Sequence, residues 1–132
     1  MHNSISEDFV RYCESQKLGM CGIDLFAHTI PSLEDCPKGI FFMEMTDGVQ
    51  FRTISGKVSC QEEYVVVTAR AESEKAARTL LNGVIEKLDI MTKVTIGNSL
   101  YMSVYTSSPI RCIGTDKNGR VLCEVDMAVL RQ

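Results

Sequence analysis

The sequence predicts an α+β fold in which a mostly antiparallel β-sheet carries two α-helices packed on one face. Two segments show the apolar spacing of amphipathic helices, and the runs between and after them favour strands. The order along the chain is helix, strands, helix, strands, which is typical of α+β proteins rather than of parallel α/β folds. At 132 residues with no linker or repeat, residues 1–132 are expected to form one domain.

The first helix is predicted over residues 6–18. Ser6 is a suitable N-cap, and Glu7 and Asp8 follow in the first turn, where the helix dipole favours acidic side chains. Gly19 stands where a left-handed residue would end the helix.

Two strands are expected next, over residues 23–27 and 39–46, with Pro31 closing the first. Asp47-Gly48 is a turn signal. It predicts a hairpin that pairs the second strand with residues 49–55.

The strongest strand covers residues 62–71, where apolar residues occupy both parities, so we expect both of its faces to be covered. The clearest helix follows over residues 73–89, with Ser73 as its cap and a wide apolar stripe for docking on the sheet. Gly83 lies inside this helix, where it either permits close packing or is simply tolerated.

The last strands are expected over residues 100–106 and 120–130, with an Asn118-Gly119 hairpin turn before the second. Residues 120–130 alternate, so that Glu124 and Asp126 share a face with several apolar side chains. The sheet face away from the helices would then stay partly apolar, which invites oligomerisation.

The composition argues against two classes of partner. The formal net charge is −3, and the basic residues are scattered, whereas a phosphate-binding surface needs a basic patch. No apolar run approaches a membrane span, and no targeting signal is visible, so we expect no membrane contact and assembly in a cytoplasm.

The six cysteines are widely and irregularly spaced, with no C-x-x-C pair and only two histidines in the chain. Metal sites need closer pairs of ligands, and a cytosol keeps thiols reduced. We therefore expect buried free thiols and no metal or cofactor site.

No catalytic residue is predicted. His28 lacks a nucleophile motif such as G-x-S-x-G, so it is unsupported as a general base. Arg70 is the more notable charge, because it ends an otherwise apolar strand. Its side chain could pair with a carboxylate inside the fold, pair across a subunit boundary, or lie in water.

Three stretches resemble a family of small tailed-phage and prophage proteins that are usually labelled minor capsid proteins. The family is similar to tail terminators, also called tail-completion proteins, and the resemblance spans most of the chain. The stretches are Phe26-Ala27-His28-Thr29-Ile30-Pro31 with Asp35-Cys36-Pro37, Val65-Val66-Val67-Thr68-Ala69-Arg70-Ala71, and Ser107-Ser108-Pro109 with Gly114-Thr115-Asp116-Lys117-Asn118-Gly119-Arg120.

This resemblance implies a structural virion protein with a tail-terminator-like fold and no enzymatic reaction. The subunits would form a ring, typically a hexamer, at the head-proximal end of the tail. The implied partners are copies of the chain, the tail-tube protein and the head–tail connector proteins at the neck. DNA would pass through the ring without specific binding.

The residues expected at subunit interfaces are Arg70, Asp116, Lys117, Asn118 and Arg120. Three alternatives stay open: a head-side connector or stopper subunit, a non-viral protein-interaction module, and a small enzyme. The enzyme would require a deep pocket with converging polar groups, and such a pocket around His28 would support it.

Overall fold

In the described part of the chain, a mostly antiparallel eight-stranded β-sheet carries two α-helices on one face, which confirms the predicted α+β fold. The computed structural model describes residues 4–32, 35–44, 49–52, 58–89, 91–115 and 119–131, with the backbone alone for 49–52 and 58–61. The elements are α1 (Ile5–Ser15), β1 (Leu25–Ala27), β2 (Gly39–Glu44), β3 (Val49–Arg52), β4 (Val58–Ala71), α2 (Glu74–Leu88), β5 (Met91–Ile96), β6 (Ser99–Thr106), β7 (Arg111–Thr115) and β8 (Val121–Arg131).

The long strands β4 and β8 form the centre of the sheet and pair antiparallel along eleven positions, from Gln61–Arg131 to Ala71–Val121. The strand order is β1-β2-β4-β8-β6-β5, while β3 adds to β4 and β7 adds to β8. The pairing of β1 with β2 is parallel, and the other pairings are antiparallel. The strands therefore form one sheet with two continuous faces, and β4 and β8 lie at the centre of both.

The hairpin predicted between residues 40–46 and 49–55 is wrong. Strands β2 and β3 both pair with β4, through partners such as Glu44–Val65 and Val49–Glu62. The 14-residue β4 is long enough to hold both short strands end to end along one edge. The Asp47-Gly48 turn itself lies outside the described residues.

The N-cap of helix α1 lies two residues earlier than predicted. Ser4 is the N-cap, and its hydroxyl accepts a hydrogen bond from the Glu7 amide at 3.1 Å. Ser6 is instead buried, and its amide donates to Glu44 Oε1 of β2 at 3.0 Å. Two side-chain acceptors, one local and one from the sheet, therefore satisfy amides of the first turn.

The end of α1 also differs from the prediction. Lys17, with φ 63°, supplies the left-handed residue that was expected at Gly19. A Cβ on Gly19 would lie 2.6 Å from Asp24 Oδ1 and 2.9 Å from Leu25 Cγ. Glycine is needed there for close packing rather than for chain reversal.

Helix α2 matches the sequence prediction closely. The Ser73 hydroxyl accepts from the Ala76 amide at 3.1 Å, as expected of the cap. The helix buries its apolar stripe against the side chains of β4 and β8 that point toward the helices. The buried members of that stripe are Ala77, Leu81, Val84 and Leu88.

Candidate subunit interface

We call the sheet face turned away from both helices the outer face. Its central side chains come from alternate positions of the strands, and they do not belong to the core beneath the helices. Tyr105 is 46% exposed, and five other large side chains of this face are partly exposed, so the face is partly apolar, as the sequence predicts. The six side chains are Met43, Tyr64, Val66, Tyr105, Leu122 and Leu130.

At one end of the outer face, Arg70 is buried with 7% exposure. Its Nη1 donates to the carbonyl oxygens of Pro31 at 2.9 Å and Cys36 at 3.0 Å. Its guanidinium carbon lies 5.3 Å from the centre of the Phe41 ring, a cation–π geometry. Arg70 therefore holds the chain between β1 and β2 onto the sheet.

These contacts exclude the alternative that the Arg70 side chain lies in water, because the side chain is buried. The two partners described here are backbone carbonyls of the same chain rather than carboxylates. The prediction that Arg70 also contributes to a subunit interface stays a prediction.

A charged cluster that the sequence analysis missed occupies the middle of the outer face. Arg111 of β7 has Nη2 at 2.6 Å from Glu124 Oε1 and at 2.9 Å from Asp126 Oδ1. Hydrogen bonds to Asp126 and then to Glu124 raise the pKa of Arg111. One cation and two carboxylates leave the cluster with a net charge of −1. The side chains are 20–40% exposed, so acceptor oxygens remain within reach of a neighbouring molecule.

Ser108 fixes this cluster to the chain between β6 and β7. Its hydroxyl accepts from Arg111 Nη1 at 3.0 Å and from the Asp126 amide at 2.9 Å. The Ser107 amide donates to the Asp126 carbonyl at 2.8 Å. The serine-proline motif noted in the sequence thus positions an ion cluster. That role was missed because no strand was predicted over residues 111–115.

The remaining predicted interface residues belong to the β7–β8 hairpin. Residues 116–118 lie outside the described residues, which leaves the predicted roles of Asp116, Lys117 and Asn118 as predictions. Gly119 has φ 78°, the left-handed conformation that the Asn-Gly turn signal implies. Arg120 Nη1 lies 3.7 Å from Glu72 Oε2, so Arg120 has at least this contact within the chain.

A serine, a histidine and a glutamate meet near the start of α1, but their geometry is not that of a hydrolytic triad. The distance from His28 Nε2 to Ser4 Oγ is 2.7 Å, and that from the same nitrogen to Glu7 Oε1 is 4.0 Å. A triad requires the acid on the other ring nitrogen, opposite the nucleophile. In addition, the Ser4 hydroxyl serves as the α1 cap.

An open groove of about 240 Å³ lies elsewhere, between the chain following α1 and helix α2. His28 is not among the residues that line this groove. The groove is lined by Leu18, Asp24, Lys38, Gly39, Ile40 and Leu80.

Within the ranges described, no three His, Cys, Asp or Glu side chains are grouped as metal ligands would be. Neither of the described helices has the length and apolar character needed to cross a membrane.

The described cysteines only partly fit the expectation of buried free thiols. Cys13, Cys36 and Cys123 are buried, whereas Cys21 and Cys112 are exposed. The expectation is wrong for the exposed pair, because both lie at the surface beyond the helix–sheet core. All five are free thiols.

The fold is shared with a chain from the virion of a native gene transfer agent particle. The TM-score is 0.55, and the similarity covers 98% of this chain and 87% of the other at 10% sequence identity. Comparisons with protein-family models and with curated proteins find no match. At this identity the likeness concerns the fold, over almost the whole chain.

Proposed function

We propose that the protein is a structural subunit of a virion and that it assembles with copies of itself through the outer face of its sheet. The observation that carries the proposal is the likeness of almost the whole chain to a chain of a virion particle. The resemblance of the sequence motifs to tailed-phage structural proteins supports the same class independently.

The chemistry of the outer face supports self-assembly. Met43, Val66 and Leu130 place apolar surface on a face that the helices leave uncovered, and removing such area from water stabilises a complex by about 25 cal/mol per Å². The Arg111 cluster lies on the same face and supplies acceptor oxygens that can orient a partner's donors. Specific interfaces combine buried apolar surface with a smaller number of hydrogen bonds between polar groups, and the outer face offers both kinds of group.

Within this class we propose the tail terminator role and no catalytic activity. A ring of subunits at the head-proximal end of the tail would contact the tail-tube protein on one side and the connector proteins on the other. The formal net charge of −3 suits a ring through which DNA moves, because like charges disfavour adhesion. In this role the protein resides in the virion neck.

The test is the assembly state of the purified protein and of a variant in the outer face. We expect sedimentation velocity and electron microscopy to show concentration-dependent rings, which Val66→Lys dissociates into folded monomers. A lysine at position 66 stands opposite Asp126 in the strand register, so the monomer can accommodate its charge. Circular dichroism checks that the variant is folded.

The matched control is Asn82→Lys, which adds the same charge on the exposed surface of α2. We expect this variant to assemble like the parent protein. Equal loss of assembly in both variants would contradict the outer face as the interface. A strict monomer at high concentration that binds a soluble peptide would instead favour the interaction module.

Electron microscopy of the native particle separates terminator from head-side stopper. Labelled protein at the junction of tail tube and neck supports the terminator role. Label confined to the head side of the connector would overturn that role while leaving the structural class intact.

A further inference from the structure

Two cysteines face each other across the β7–β8 hairpin. Cys112 of β7 and Cys123 of β8 are direct partners in the antiparallel register. Directly opposed residues in such a pair have Cα atoms about 4.5–5.5 Å apart and side chains on the same face. A disulfide spans Cα atoms about 4.4–6.8 Å apart, so the register alone satisfies its reach.

The two thiols differ in access. Cys123 is fully buried, whereas Cys112 is exposed. Burial raises the pKa of the Cys123 thiol, and the adjacent Cys112, which is hydrogen-bonded to it, raises that pKa further. An oxidant from solution therefore meets Cys112 first, with a second thiol already in contact behind it.

We propose that Cys112 and Cys123 are a thiol pair that closes reversibly to a cross-strand disulfide. The oxidant is a small-molecule disulfide of the oxidised-glutathione class. The Cys112 thiolate attacks one of its sulfurs, which releases one equivalent of the reduced thiol and leaves a mixed disulfide on Cys112. The Cys123 thiolate then attacks the Cys112 sulfur and releases the second equivalent.

The bond would covalently join β7 to β8 and close the loop formed by residues 113–122. It would hold the hairpin that contains Gly119 and that starts at Arg111 of the outer-face cluster. A reducing cytosol keeps the pair as thiols, and an oxidising exterior closes it. The pair is thus suited to a particle that is assembled in one environment and released into another.

The experiment treats the native full-length protein with oxidised glutathione, blocks free thiols, and digests it with trypsin without reduction. Trypsin separates the two cysteines into peptides 112–117 and 121–131. We expect these peptides to be linked, with the loss of two hydrogen atoms, and to separate after reduction.

Two variants make the result specific. Cys112→Ser, at an exposed position, should abolish the linked peptide, and Cys21→Ser, at another exposed cysteine, should retain it. A persistent mixed disulfide on Cys112, or a link from Cys112 to Cys21 in place of Cys123, would overturn the proposal. The outcome does not depend on ring formation, so its failure and that of the proposed function are distinguishable.

Discussion

At the scale of single residues, Arg70 shows how one charge organises a loop. It bonds two carbonyls in the segment between β1 and β2 and lies against Phe41. A buried backbone carbonyl without a hydrogen-bond donor lowers the stability of the folded state. The long side chain of Arg70 reaches both carbonyls and so allows the loop to pack on the sheet. Phe41 is fully buried although it points to the outer face, and Arg70 and the Phe26 ring both lie against it.

We predict that Arg70→Ala lowers the free energy of unfolding by about 2–3 kcal/mol, because it removes two charge-assisted hydrogen bonds. Arg70→Lys should lose less, since one ammonium can still serve one carbonyl. Urea denaturation followed by circular dichroism measures both changes. Arg11→Ala, at an exposed position of α1, is the control and should change stability by less than about 0.5 kcal/mol. An Arg70→Ala variant as stable as this control would contradict the holding role.

At the scale of elements, α2 is the segment for which local sequence and tertiary environment agree most closely. Its cap, its length and its buried stripe all follow from apolar spacing and Ser73. Gly83 is the exception to this agreement. A Cβ at this position would lie 3.5 Å from Leu18 Cδ2, an ordinary van der Waals contact, so close packing does not require glycine here.

We therefore predict that Gly83→Ala raises the free energy of unfolding by about 0.5–1 kcal/mol, because alanine loses less backbone entropy in a helix. Thermal denaturation measures the shift. Gly39→Ala is the contrasting variant, since its Cβ would lie 2.5 Å from Cys36 Sγ and 3.0 Å from the Asp24 carbonyl oxygen. That variant should be destabilised, and a gain at position 39 or a loss at position 83 would contradict the packing described.

The strands show the limit of local reasoning at this scale. The position and alternation of β8 were predicted because its apolar residues fall at every second place, whereas β5 and β7 were missed. Residues 112–115 of β7 are exposed, so no buried face imposes alternation on them. A strand of this kind is recognisable only from its hydrogen-bonded partner.

At the scale of the whole molecule, the layer between the helices and the sheet buries a thiol and a phenol in their neutral forms. Burial raises the pKa of Cys13 in α1 to about 12 from its ordinary value of 9.0. Burial, and then the 2.5 Å hydrogen bond from its hydroxyl to Asp8 Oδ2, raise the pKa of Tyr101 in β6. Because folding raises both pKa values, the free energy of unfolding depends on pH in the alkaline range.

We predict that the free energy of unfolding falls as the pH rises from about 9 toward about 12. In this window the unfolded chain releases the Cys13 and Tyr101 protons while the folded protein retains them. The steepest contribution from one such group is about 1.4 kcal/mol per pH unit. Urea denaturation at several pH values measures the slope. Tyr101→Phe should make it shallower, and an unchanged slope in that variant would contradict the linkage.

The candidate interface was predictable only in outline. The sequence indicated a partly apolar outer face, because Leu122, Glu124 and Asp126 alternate with the core residues of β8. It did not indicate that Arg111 joins the two carboxylates, since that contact needs β7 beside β8. Nor did eleven residues of separation suggest that Cys112 and Cys123 are neighbours, because antiparallel register, not spacing, brings them together.

By itself the sequence determined the class of the fold, the position of α2 and the strand character of β4 and β8. These depend on periodicity and caps, which act over a few neighbouring residues. Tertiary structure alone decided that β2 and β3 share one edge of β4, that Arg70 binds a distant loop, and which polar groups meet on the outer face. Those outcomes depend on contacts between residues far apart in the chain, and local energies do not specify them.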